Sequence, residues 1–224
     1  MKPAVATALL LSLVVAVPGR ARADWVNPYT GNHFNNPTSS LLDTMIRNRM
    51  NTNMLLRSLK NKQGDRGKAT PAKHQPIDKT DFSAGKQRLV VATVIGALAS
   101  TPEQTATLTT AMDQVFIEFE KAARKNNVAY SLTFLLAASL KIDRDLELSD
   151  EQSEQLALGI NDLLADAPAF ARVGASDRQK LYETCVTMGG LILLFSEVGK
   201  QGDVDASKAA KLLATQSLAM LGVK

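Results

Sequence analysis

Between Cys185 and Phe195 every residue except Thr187 is apolar or glycine. A helix that is apolar all round is enclosed by other helices or by lipid. The uncharged run from Thr184 to Ser196 spans 13 residues, fewer than the roughly 18 that read as a membrane span. The pattern therefore predicts a central bundle helix over Asp177–Lys200. Gly189–Gly190 lowers helix propensity there by about 1 kcal/mol per residue. Close approach of a neighbouring helix is the expected compensation.

Five further helices surround it. The first is predicted over Lys86–Ser100, apolar through LVVATVIGALA. Thr101-Pro102-Glu103-Gln104 starts the second with an N-cap, a proline at N1 and a glutamine at N3. Met112, Val115, Phe116, Phe119, Ala122 and Ala123 form its stripe, and Asn126–Asn127 ends it. Val128–Ile142 is almost wholly apolar and reads as the second core helix. Ser149-x-x-Gln152 opens a fourth, with Leu156, Ile160, Leu163 and Leu164 inward, Ala157 at the edge leaning toward water, and Pro168 beyond its end. Ser176-x-x-Gln179 is the third such box and is expected to cap the central helix. Gly202 breaks the chain before a last helix capped by Asp203 or Asp205, with Ala209, Leu212, Leu213, Ala219 and Met220 inward. Strand-period alternation is missing. The fold class is all-α: a single bundle of about six helices around a central apolar helix, preceded by a flexible arm with one amphipathic helix.

Upstream the pattern changes twice. Residues 1–23 read as an export signal: Lys2, an apolar core from Ala4 to Val17, a break at Pro18–Gly19, and Ala21-Arg22-Ala23 before cleavage at Asp24. Residues 24–81 form the arm. Trp25, Tyr29 and Phe34 lie among turn residues at its start. Leu42, Ile46, Met50 and Met54 then recur at helical spacing, flanked by Arg47, Arg49 and Arg57. Residues 61–81 are rich in Gly, Pro, Lys and Gln, with Ile77 the only large apolar residue, and read as a linker. The bundle domain is thus expected over residues 82–224, and its 143 residues suffice for one core.

Charge changes the picture only once the signal is set aside. The whole chain has 26 basic and 22 acidic residues, but residues 1–23 hold three of the bases and no acid. Near balance in the remainder argues against nucleic acid as a partner. A mildly basic arm (nine basic, five acidic) precedes a mildly acidic body (fourteen and seventeen).

Four stretches carry a resemblance. They are Asp81-Phe82, Asn126-Asn127-Val128-Ala129, Leu148-Ser149-Asp150-Glu151-Gln152, and Gln179-Lys180-Leu181-Tyr182-Glu183 entering the Gly-Gly helix. Together they resemble a bacterial family of secreted helical domains of unknown function, over roughly residues 80–222. The resemblance implies a helical fold and export and carries no mechanism.

Candidate chemistry is sparse. His33 and His74 lie in the arm and linker, which removes a Ser-His-Asp triad or a histidine-based zinc site from the body. Cys185 has no second cysteine to pair with and reads as a small core residue. Glu183, beside Tyr182, and Glu118, between Phe116 and Phe119, are the carboxylates that desolvation would turn into general acids. The plainer expectation is that Glu183 bonds backbone or tyrosine and Glu118 faces water. Asp143, Asp145, Glu147, Ser149, Glu151 and Glu154 match the ligand spacing of a calcium-binding loop, but Leu148 occupies the position that needs glycine. An N-cap followed by first-turn acids explains the same residues. No catalytic residue, metal ligand or cofactor is assigned.

The expectation is an exported, non-catalytic binding protein of the bacterial envelope, periplasmic or secreted after signal cleavage. Its partner is an unknown protein or envelope component, with no transmembrane segment in the mature chain and peripheral membrane contact through residues 40–60 as one form of that binding. Two alternatives accompany it: a carrier of an apolar ligand held in the bundle, and a carboxylate-based cell-wall hydrolase using Glu183 or Glu118.

Overall fold

The computed structural model describes residues 74–223. The signal with Ala21, Ala23 and Asp24, the aromatics of the early arm and the helix over residues 40–60 lie outside the described residues. Within them the chain forms a short 3-10 turn, Ile77–Thr80, and seven α-helices. These are α1 Val91–Leu98, α2 Pro102–Ala122, α3 Val128–Arg144, α4 Asp150–Ala165, α5 Pro168–Ala171, α6 Ala175–Lys200 and α7 Val204–Met220. The all-α bundle around a central apolar helix is as the pattern predicts.

Helix α6 is the centre, packed by α3, α7, α2 and α1. By length and composition alone its 26 residues are long and apolar enough to cross a membrane, but 72% of the qualifying window is buried inside the bundle. The two glycines make that packing geometrically possible. A Cβ on Gly189 would lie 2.7 Å from the Phe134 ring of α3, and one on Gly190 would lie 2.7 Å from Cγ1 of Val115 on α2. Both neighbours occupy space that a side chain would need, so the propensity cost of glycine is offset by contact. The two apolar helices α3 and α6 therefore pack directly on each other at Gly189. An aromatic group links α2, α3 and α6: Phe119 lies 5.1 Å from Phe134 and 5.9 Å from Tyr182, ring centre to ring centre.

Of the three expected boxes, one closes in full. Ser149 and Gln152 make the full reciprocal box at α4. Thr101 caps α2 through the Gln104 amide, while the Gln104 side chain reaches one residue further, to the Ser100 amide. At α6 the predicted box does not form. The helix starts at Ala175 after Gly174, with no side-chain cap. Gln179 instead leaves the helix end and bonds Gly85 N at 2.8 Å and Gln87 O at 2.8 Å. A long-range partner has outcompeted a local one.

Three other expectations change. Ala157 is fully buried rather than at the water edge. On α7 the inward residues are Ala206, Ala210, Leu213, Ala214, Ser217 and Leu218, whereas Leu212 and Met220 are 42% and 45% exposed. Asn127 does not end α2; it opens α3, its side chain accepting the Tyr130 amide at 3.1 Å.

The contacts of the body also begin before Phe82. Residues 74–81 form a strap whose backbone and side chains are bonded to the bundle. Asn161 of α4 donates to Gln75 O and Pro76 O and accepts from the Thr80 hydroxyl at 2.9 Å. Asn127 donates to Ile77 O and to Asp81, and Arg124 meets the Asp81 carboxylate through two nitrogens. Arg178 donates to Lys79 O and Asp81 O. Composition missed this segment because polar groups hold it, not apolar burial.

Candidate functional site

Each candidate residue can now be placed. Glu183 lies one turn beyond Gln179 on α6 and is 2% exposed. Its Oε2 accepts the backbone amides of Leu89 at 2.6 Å and Val90 at 2.8 Å, and its Oε1 accepts Gln179 Nε2 at 2.8 Å. Val90 is the N-cap of α1, which has no side-chain cap of its own, and Leu89 immediately precedes it. A carboxylate is well suited to that position, because the helix end carries partial positive charge. Glu183 is therefore a cap supplied from a distant helix, with both oxygens occupied.

Glu118 lies on the outer part of α2. Gln114 donates to its Oε1 at 3.0 Å and Lys121 at 2.8 Å, an arrangement of neighbours on one helix face. Cys185 is fully buried, and burial pushes its thiol up to about 12, with a Ser131 hydrogen bond opposing. A thiol held protonated in this way is a poor nucleophile.

The calcium-like spacing is dispersed by the fold. Asp143 accepts the Thr215 hydroxyl at 2.6 Å and lies 3.3 Å from Lys211 of α7. The Thr215 bond, against burial and with Lys211 and Arg144, holds its carboxyl below the usual range. Asp145 ends α3 in the left-handed region at φ 53°. Glu147 pairs with Lys141 at 2.8 Å, Ser149 caps α4, and Glu154 accepts the Tyr130 hydroxyl at 2.7 Å. Among the described residues no group of three or more His, Cys, Asp or Glu is placed to hold a metal ion.

What the sequence did not single out is a cleft where α2, α3 and α4 meet. Phe119 and Phe134 line it with Ala122 and Ala137, and Tyr130 and Glu154 meet there. Its interior is about 40 Å³, room for the tip of one side chain and far short of a lipid or drug-sized ligand. Burial first, then the hydrogen bond to Glu154 and its charge, push the Tyr130 phenol up to about 12, so it stays a donor. The cleft escapes a linear reading because its walls come from three helices, each contributing residues from a different face.

Comparison with known proteins gives one match. The model of a family of unknown function, DUF6683, matches residues 1–224, arm included, which extends the resemblance beyond residues 80–222. No curated protein and no solved structure matches.

Proposed function

We propose that this chain, which belongs to the family DUF6683, is an exported, non-catalytic helical domain that binds a protein or another component of the bacterial envelope. The observation that carries the reading is Glu183. The carboxylate best suited by sequence to be a general acid is sealed in the core and spent on two backbone amides and a glutamine. Glu118 pairs with a lysine beside it, and Cys185 is enclosed. The direct packing of α6 on α3 and α2 weighs against a ligand cavity between the apolar helices. Export rests on residues 1–23 and their Ala21-Arg22-Ala23 site.

The test has two readouts. N-terminal sequencing of the protein recovered from its bacterial host should begin at Asp24; a chain that keeps Met1 ends the export part. Pull-down from envelope extracts should capture a partner with the chain from Asp24 and lose it when residues 24–73 are removed. Release of soluble fragments from purified peptidoglycan by the chain, abolished in Glu118→Gln, would replace binding with hydrolysis.

A further inference from the structure

Helix α4 opens on an exposed turn, with Glu151, Glu154 and Gln155 facing solvent. It packs on α3, the strap and the short α5. At 100° per residue its two faces separate cleanly. Leu156, Ala157, Ile160, Asn161 and Leu164 are buried. Glu151, Glu154, Gln155, Leu158, Gly159 and Asp162 share the outer face, where a Cβ added at Gly159 would meet nothing within 4 Å. That face holds three acids, and α4 contains no basic residue. At its N-terminal end it runs into the cleft over Phe119 and Phe134, through Glu154.

The strap identifies what lies near. His74 bonds Asp162 at 2.6 Å and the Gln75 amide bonds the same carboxylate at 2.7 Å, so the first of the described residues lie on this same face. Glu154 lies about 12 Å along α4 from that point. Residues 61–73 can span about 43 Å when extended, so the segment over residues 40–60 reaches the cleft with slack. Residues 24–73 carry eight basic and three acidic side chains, opposite in sign to α4. The Leu42, Ile46, Met50, Met54 stripe with Arg47, Arg49 and Arg57 beside it is a basic amphipathic helix by pattern.

We propose that residues 40–60 dock in cis on the outer face of α4, with a methionine of the stripe in the Phe119–Phe134 cleft and the arginines against Glu151 and Glu154. A thioether suits a small aromatic-floored space, since sulfur gains from ring contacts and the unbranched chain adapts to shape. Gly159 and Leu158 give the incoming helix a close and apolar approach. Tethering through the strap makes the contact intramolecular, so modest complementarity suffices. The contact stands independently of which partner the chain binds.

Hydrogen–deuterium exchange on the chain from Asp24, with size measured by light scattering, tests this. Amides of residues 40–60 should be protected by at least about tenfold in a monomer. Glu151→Lys/Gln155→Lys, at two exposed positions, should abolish that protection while the α6 amides keep theirs. Adding Arg47→Glu/Arg49→Glu should restore it. No protection in the unaltered chain, protection indifferent to the lysines, or failure of the reversed pairs to restore it would each overturn the assignment. Protection that appears only with dimerisation would replace it with docking on a second copy.

Discussion

Glu183 holds the amide of Val90 at 2.8 Å across 93 residues of sequence, and so joins the central helix to the start of the first one. The contact is the plainer expectation for this carboxylate, a bond to backbone at a helix start. A general acid needs an open side toward substrate, whereas both Glu183 oxygens face donors of the protein itself. Substituting it should therefore injure stability.

Glu183→Gln replaces one acceptor by a donor that faces other donors. Losing a charged acceptor and leaving buried amides unpaired costs about 2–3 kcal/mol, or a fall in Tm of about 5–10 °C for a body of this size. Chemical denaturation and a thermal melt measure it. An unchanged melt would remove the capping role.

The glycines predict opposite signs on two helices. Gly190→Ala forces a Cβ against Val115, where 2.7 Å must open, and should destabilise by about 1–3 kcal/mol as overpacking does. In a chain beginning at His74, which lacks residues 40–60, Gly159→Ala meets open space and should stabilise by about 0.5–1 kcal/mol through helix propensity. Melts of the two variants decide it; a Gly190→Ala protein at or above the parent's stability would mean that α2 and α6 can separate.

Truncation should locate the true edge of the body. A chain beginning at His74 keeps the strap, and one beginning at Phe82 strips Asn161, Asn127 and Arg178 of their strap partners. The second should be less stable by about 1–3 kcal/mol while still folding cooperatively. Equal denaturant midpoints would show the strap to be dispensable.

Acid should loosen the strap. Burial pulls the Asp81 carboxyl up, but hydrogen bonds from Arg124 and Asn127 and the Arg124 charge together outweigh it, so the pKa lies below the ordinary 3.8. A carboxyl depressed on folding contributes stability that is fully present above its unfolded value and is lost as pH falls through its folded value. Asp81→Asn should therefore lower the melting temperature at pH 6 and leave a shallower decline toward pH 2 than the parent shows, pH values set about the ordinary carboxylate range. Parallel declines in the two proteins would exclude Asp81 from the acid response.

Some of this was legible in the residues alone. An eleven-residue stretch from Cys185 to Phe195 with one polar side chain has only a buried solution, because no orientation of such a helix offers water a polar face. Ser149-Asp150-Glu151-Gln152 closes its box from four consecutive residues, as read. Ser176-Asp177-Arg178-Gln179 has the same local signature, yet Gln179 turns to Gly85 and Gln87. The difference is decided by what another segment brings within 3 Å, and a linear pattern does not record that. The strap shows the same limit: its apolar content is too low to signal packing, and its order comes from carbonyls and carboxylates matched to Asn161, Asn127, Arg124 and Arg178. Periodicity registers burial along one helix, which is an additive property of that helix. Hydrogen-bond partnership between elements is a property of pairs, and only the tertiary structure assigns the pairs.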